Sequence, residues 1–392
     1  MTRVAYLVSH PIQYQAPLLR RLALEDDIEL TVLFLSDVSA GAYVDAGFGQ
    51  KIAWDVDLLQ GYRSKVLPAL GSRDALSFWR PLTLGVEQEL RSHSYDVVWL
   101  HGYAHHSHVR ALVTAHRLGL KILFRGESHA SRSTRTGASA LLRNAMLRRM
   151  FRHIDGFLAI GSANRDYYLS HGVPDDKIFL MPYAVDNARF QSALDGRQEL
   201  SRALGLDPNR AVILYASKLQ SRKRPWDLWR AYTELSPNGV DEPSPYLILA
   251  GDGSERERLE AAVRERSWNS VRFVGFQNQT KLPAYYALAD VFVLPSEREP
   301  WGLVVNEAMN AAKAVIVSDQ VGAAADLVED AVNGYVVGVG DISALADRLR
   351  RVTADPDLAR RMGAKSLERI ARWDFEADVR GFRAALSHVQ GN

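Results

Sequence analysis

Residues 291–310 read VFVLPSEREPWGLVVNEAMN, and how this stretch is parsed decides how the chain is built. Its four leading apolar residues match a short strand covered on both faces, and they stop at Pro295. A polar turn carrying Glu297 and Glu299 follows, closed by Pro300 and Gly302, residues that end one element and open the next. A helix then begins near Leu303 and carries Glu307 in its early turns. Strand, polar turn and helix in that order are the repeat of a parallel sheet wrapped by helices.

The same grammar recurs on both sides. Apolar runs at residues 4–8, 30–35, 97–100, 122–124, 157–160 and 178–181 are each followed by a turn and, in most cases, a helical stretch. The pattern restarts at residues 212–216, 246–250, 271–274, 291–294, 314–317 and 335–337. It predicts an α/β chain of two doubly wound domains in tandem. The break falls after Met181, where Pro182 disfavours helix at the residue before it. The Pro- and Gly-containing loop at residues 236–245 reads as surface decoration within the second domain.

Composition agrees. At 392 residues the chain exceeds one ordinary core, and 47% hydrophobic with 24% charged residues is a globular balance. A net charge of +2 gives no bulk attraction for nucleic acid, so any cationic site is local. With no cysteine, disulfides, thiolate metal sites and thiol nucleophiles are excluded. The first apolar run is too short for a signal peptide, and no run reaches bilayer-spanning length. The expected location is the cytoplasm, at most peripheral on the inner face of a membrane.

Open parallel sheets bind ligands beyond the carboxyl ends of their strands. After residues 212–216 stand Lys218 and Lys223, five apart and ahead of a helix, which suits a diphosphate as well as a solvated basic turn. After residues 246–250 comes Gly251-Asp252-Gly253, small enough for a nucleotide to approach and equally a plain turn. In the opening stretch the amides of Gly302, Leu303 and Val304 lie at a helix start, suited to a phosphate or a sugar hydroxyl. Glu299 and Glu307 flank them. Complementing the helix dipole accounts for Glu307 and leaves Glu299 without a role.

At these residues the chain resembles the retaining glycosyltransferase family 4, of the GT-B fold. Glu299 and Glu307 match its pair of glutamates in the setting EPWGLVVNEAMNAA. The segments VRFVGFQNQTKLPAYYALADVFVLPS, ILYASKLQSRKRP and VEDAVNGYVV extend the likeness over nearly the whole second domain. The amino-terminal half matches less closely, through IGSANRDYYLSHGVPDDKIFLMPYAVD. The resemblance implies two Rossmann-like domains facing a cleft: residues 1–186 binding the acceptor, completed by a returning helix at 375–392, and residues 187–374 binding the nucleotide sugar.

Carried over residue by residue, Lys218 and Lys223 bind the donor diphosphate, Glu307 the ribose hydroxyls and Glu299 a hydroxyl of the donor sugar. Phe276, Gln277 and Asn278 face the base. The family usually has arginine at Lys218 and glycine at Arg224, departures that alter phosphate geometry because lysine makes no bidentate fork. Where relatives place a histidine near the donor sugar, this chain has Glu127, with His129 two residues on, and both are candidate catalytic groups. Arg125 pairs with Glu127 or meets the acceptor. His10, Gln13 and Tyr14 replace a glycine-rich turn and are further acceptor contacts, as is His101 at a strand end.

Two other patterns invite a metal. His101, His105, His106 and His108 cluster without a carboxylate at ligand spacing, and Asp55-Val56-Asp57 mimics a DxD motif outside a strand end. The resemblance implies no metal and no cofactor beyond the nucleotide sugar. Residues 131–153 carry six arginines and no acid among Leu141, Leu142, Leu147 and others, a pattern suited to an anionic membrane or to a domain helix. The implied reaction moves a sugar from a UDP- or GDP-sugar to an acceptor hydroxyl, with retention, in polysaccharide or glycolipid assembly. The rivals are a sugar-nucleotide epimerase and a non-catalytic binding subunit.

Overall fold

The computed structural model describes residues 1–73, 76–129, 137–192, 197–235 and 244–391. Chain contacts divide it into two units, Met1–Tyr43 with Ile52–Tyr183 and Phe375–Asn392, and Val44–Lys51 with Ala184–Asp374.

The first unit is built on a seven-stranded parallel sheet. Across it run Ile178–Leu180, Gly156–Ala159, Lys121–Arg125, Val97–His101, Thr2–Val8, Ile28–Phe34 and Arg63–Val66. Side chains alternate between the faces, as the strand period requires. Val4, Tyr6 and Val8 pack against Leu18, Leu19 and Leu22 and against Phe382 and Leu386 of the helix Phe375–Gln390. Ala5 and Leu7 face the other way, onto Val86, Leu90, Ala111 and Ala115. The last helix therefore completes the first unit's core, where each large side chain removed from water contributes roughly 1.5–3 kcal/mol.

The second unit has six parallel strands in the order Val271–Gly275, Tyr246–Ala250, Val212–Ala216, Val291–Leu294, Ala314–Ser318 and Gly334–Val337. Chain order reverses between Val212–Ala216 and Val291–Leu294, the switch point at which such sheets open a crevice. In the first sheet the corresponding point lies between Thr2–Val8 and Val97–His101.

Every apolar run read from the sequence is a strand of one of these sheets. Arg63–Val66 had no such signal: RSKV is an edge strand with three exposed residues. The helix Ala138–Phe151 also departs from a plain domain helix, because Leu147 and Phe151 are buried while Leu141, Leu142 and Met146 are 72%, 74% and 58% exposed. Ser131, Arg132 and Arg135 of that basic segment, and residues 236–243 of the surface loop, lie outside the described residues. Among the described residues no helix is long and apolar enough to cross a membrane.

Candidate functional site

In the second unit, the loops leaving the two switch-point strands meet. The Glu297 amide donates to the Arg222 carbonyl at 2.9 Å, and the Lys223 ammonium donates to the Glu299 carboxylate. Both side chains of that pair are largely buried, at 9% and 13% exposure. Burial pushes the Lys223 pKa down, and the Glu299 charge only partly restores it.

Local geometry aims the lysine inward. A short 3-10 turn, Ser221–Lys223, is followed by Arg224 at φ 54° and ψ 43°, and Pro225 then opens the helix Pro225–Thr233. That left-handed conformation favours glycine, which accounts for the glycine expected here. In this chain Arg224 adopts it while donating to Asp227 at 2.6 Å.

Lys218 takes a different carboxylate. Its Nζ lies 2.7 Å from Asp45 Oδ1 and 4.5 Å from the centroid of the Phe48 ring. Gly251 has a structural reason for its size: at φ +147° its Cβ would lie 2.0 Å from the Ser217 carbonyl oxygen. The glycine thus makes room for the basic loop itself, which is tied down by Leu219 N–H to Asp252 O at 2.8 Å.

The acidic segment is fixed through its backbone. Glu299 donates to Gln320 O at 3.1 Å and accepts from Gly322 N–H at 2.9 Å. Gly302, at φ 95°, turns the chain into the helix Leu303–Asn310, whose first internal bond runs from Val305 N–H to Gly302 O. The amides of Gly302, Leu303 and Val304 therefore precede the helical ladder. Glu307 lies deeper, 8% exposed, and accepts a 2.6 Å hydrogen bond from the Tyr286 hydroxyl. Burial pushes its carboxyl up to about 7, against the Tyr286 bond and the Arg189 charge. Phe276 meets Phe48 edge-on at 4.7 Å. Gln277 and Asn278 serve the turn: Gln277 Nε2 donates to Val274 O at 2.6 Å, and Asn278 Oδ1 accepts from Gln279 N–H at 3.0 Å.

The first unit assembles a separate polar cluster at its own switch point. Tyr6 donates to Gln15 Oε1 at 3.0 Å and lies 2.9 Å from His101 Nδ1. Glu127 Oε1 accepts from Tyr14 at 3.1 Å and from Tyr183, and faces His101 Nε2 at 3.7 Å. Partial desolvation favours the neutral carboxyl, but the His101 contact and the two tyrosine donors outweigh it and hold the half-exposed Glu127 down to about 2. Burial, with the Glu127 charge, keeps both tyrosines well above their ordinary range, so they remain donors.

Tyr14, His101 and Glu127 are thus brought together. Gln15, which closes the polar turn after the first strand, joins them, as do Tyr6 and Tyr183, which the sequence did not single out, since only folding carries residue 183 to residue 127. Arg125 corrects its expected role. It is 1% exposed and donates to the carbonyls of Met181 and Pro182 at 2.9 and 3.2 Å and to Asp378 at 3.2 Å, so it buttresses the core instead of meeting an acceptor or Glu127. His129 and Gln13 are half-buried, and His10 Nδ1 sits 2.8 Å from Ser9 Oγ.

The remaining patterns have local uses. His105 Nδ1 is 2.7 Å from Ser77 O, and His108 is buried, its pKa lowered to about 3 chiefly by desolvation. Asp57 Oδ1 accepts from the amides of Leu59 and Gln60, closing a turn. Among the described residues no three histidine or acidic side chains gather as a metal-holding group.

Comparison with known proteins gives the family and the fold. Residues 196–369 match the family described as Glycosyl transferases group 1, and residues 21–189 match Glycosyltransferase Family 4. The chain is 30% identical over 192 residues to alpha-D-kanosaminyltransferase of Streptomyces kanamyceticus, covering 48% of each. It is 29% identical over 231 residues to D-inositol 3-phosphate glycosyltransferase of Nocardia farcinica, covering 56% of this chain and 50% of that one. The chain spans about half the length of the curated relatives it matches. Anabaena HepE, solved in complex with UDP and glucose, has a similar fold, with a TM-score of 0.74 at 18% identity over 99% of this chain and 100% of that one.

Proposed function

Since the chain belongs to the group 1 glycosyl transferases of glycosyltransferase family 4 and has the GT-B fold, we propose that it moves a sugar from a nucleoside diphosphate sugar to an acceptor hydroxyl, with retention and without a metal. The observation that carries this reading is the meeting of Lys223 and Glu299 at the switch point of the second sheet, beside the free amides of a helix start.

In this reading, Lys218 and Lys223 take the diphosphate, together with the amides of Gly302, Leu303 and Val304. Fixed cations and amides can stabilise the charge that builds on a departing diphosphate without reorganising during the reaction. Glu307 receives the ribose hydroxyls and Glu299 a hydroxyl of the donor sugar. When phosphate takes Lys223, Glu299 is freed for that hydroxyl, so the ion pair is a resting state of both groups. Phe276 offers a face to the base.

Glu127 is the candidate catalytic carboxylate of the first unit, with His129 close by in sequence. One oxygen of Glu127 is engaged by two tyrosines and faces His101, so the group is pinned as an anion. A carboxyl held near 2 is a poor proton acceptor at neutral pH. Its contribution is electrostatic: it accepts a sugar hydroxyl or offsets positive charge at the anomeric centre. Tyr14, His101, His10 and Gln13 stand on the acceptor side.

The exposed leucines of Ala138–Phe151, on a helix with basic and no acidic residues, support peripheral contact with an anionic membrane and hence a lipid-linked or cell-surface acceptor. The protein then works on the cytoplasmic face. HepE's complex with UDP makes uridine donors the first to test. Thermal stabilisation by UDP-, GDP- and ADP-sugars identifies the donor, because a ligand of the native state raises its apparent stability. Release of nucleoside diphosphate with formation of a new glycoside completes the test, and failure of every sugar nucleotide to stabilise the protein overturns the reading.

A further inference from the structure

Residues Val44–Lys51 group with the second unit although they are separated from it in sequence by the first unit's sheet. Their contacts fall on two of the residues assigned to the donor. Asp45 Oδ1 sits 2.7 Å from Lys218 Nζ, and the Phe48 ring lies under that ammonium and meets Phe276 edge-on. Gln220 Nε2, from the same basic loop, donates to Gly47 O at 3.1 Å.

The Asp45 carboxylate is itself shaped like a bound anion. Its Oδ1 accepts from the amides of Gly47 and Phe48 at 2.7 and 3.0 Å as well as from Lys218. Burial works against its charge, yet these donors keep its carboxyl below the ordinary range. The Lys218 side chain packs directly over Gly47, where a Cβ would lie 2.5 Å from Nζ. Of these partners Lys218 alone lies on the basic loop, and on it one carboxylate oxygen of Asp45 stands where a phosphate oxygen could; the amides of Gly47 and Phe48 hold that carboxylate in place from within its own turn.

Resting on the donor-site reading above, we propose that Val44–Lys51 is a donor-responsive flap, in which Asp45 holds the place of a donor phosphate on Lys218 and yields it when a nucleoside diphosphate binds. A diphosphate brings more negative charge than one carboxylate and also meets the helix-start amides, so it wins the exchange. As Asp45 leaves, Phe48 uncovers Phe276 for the base. The flap keeps Lys218 neutralised while the site is empty and sets a threshold against weaker anions.

The test uses the full chain with UDP, GDP and ADP as probes, each titrated by calorimetry. Asp45→Asn keeps the size of the side chain and removes its charge, so nucleotide binding is expected to tighten by a few-fold to about tenfold, the worth of a partly exposed ion pair. Hydrogen exchange averaged over residues 44–51 is expected to quicken when nucleotide saturates the wild type, because the segment loses its contacts with Lys218, Gln220 and Phe276. Unchanged or weaker binding in Asp45→Asn, or amides that slow on saturation, overturns the flap. Lys223→Ala run alongside separates the two claims. If it weakens binding while Asp45→Asn does nothing, the flap alone fails. If neither variant alters binding, or no nucleotide binds, the donor site fails with it.

Discussion

The Tyr286 hydroxyl and the Glu307 carboxylate form a buried 2.6 Å hydrogen bond beneath the helix start that bears the free amides. Burial raises Glu307 to about 7, so near neutral pH the empty protein holds it partly protonated. In the proposed role of Glu307, ribose hydroxyls donate best to a carboxylate, so binding them sheds a proton. Nucleotide affinity is expected to rise between about pH 6 and 8, by at most about tenfold per unit below the pKa. Since the nucleotide's own phosphate also titrates there, the measurement is the ratio of wild type to Glu307→Gln, which grows with pH if the assignment holds. Stability runs the other way. The folded state keeps a proton that the unfolded chain releases, so stability falls as pH rises from 4.5 to about 7 and is level beyond.

Lys223 and Glu299 satisfy each other in a nearly dry setting. Lys223→Ala leaves the carboxylate buried without its cation, and stability is expected to drop by about 2 kcal/mol in denaturant unfolding. Adding Glu299→Gln to that variant recovers most of the loss, while nucleotide binding stays at least about tenfold weaker in both. Recovery of binding along with stability would remove Lys223 from the donor site.

Much of this layout was legible in the sequence because parallel strands covered on both faces leave uninterrupted apolar runs. All but one strand of the two main sheets announced itself that way, and Arg63–Val66 did not because an exposed edge needs no apolar pattern. Lys223 and Glu299 were readable as loop residues after strands, and sheet order explains why their loops meet. Glu127 was readable as a departure from a familiar histidine. Its partner Tyr183, and the Tyr6 and Gln15 side chains that hold His101 beside it, were not, since side chains aimed at one another across the fold leave no trace in spacing. Arg125 misled for a related reason: a cation at a strand end reads as a ligand contact, and only the packing of Asp378 from the last helix shows it turned into the core.

Arg224 holds a left-handed conformation that costs a residue with a Cβ roughly 1–2 kcal/mol. Removing the side chain to Ala loses the bond to Asp227 and keeps the strain, whereas Gly loses the same bond and relieves it. Arg224→Gly is expected to be about 1 kcal/mol more stable than Arg224→Ala by chemical denaturation. Equal stability would mean that the turn relaxes in the variants.

Glu127→Gln keeps the acceptor geometry toward Tyr14 and Tyr183 but removes the charge. Transfer is expected to fall by about a hundredfold, while thermal stabilisation by donor nucleotide is unchanged. Tyr183→Phe, which only loosens the carboxylate, falls less. The acid limb of the pH–rate profile should not report Glu127, because its carboxyl stays ionised until pH nears 2. The stability this ionised group supplies is present above the ordinary 4.5 and disappears as pH falls toward 2. An acid limb between about pH 5 and 7 that vanishes in Glu127→Gln would overturn the assignment.

The helix Ala138–Phe151 points Leu147 and Phe151 into the core and leaves Leu141, Leu142 and Met146 in water. Its outer face is divided along the axis, with those apolar side chains in the first turns and Arg148, Arg149 and Arg152 at the end. Such a face can insert its leading turns among acyl chains while the arginines remain at anionic headgroups, each worth about 1 kcal/mol near the surface. Because Leu141 and Leu142 are more than 70% exposed, replacing both with Ser removes little folded-state packing, and the melting temperature is expected to hold. Sedimentation with phosphatidylglycerol vesicles should nevertheless weaken by up to about a hundredfold, from the lost burial of two leucines. Neutral phosphatidylcholine vesicles should bind the wild type poorly, and added salt should release it from the anionic ones. Equal sedimentation of wild type and double variant on anionic vesicles would rule this helix out as the membrane contact.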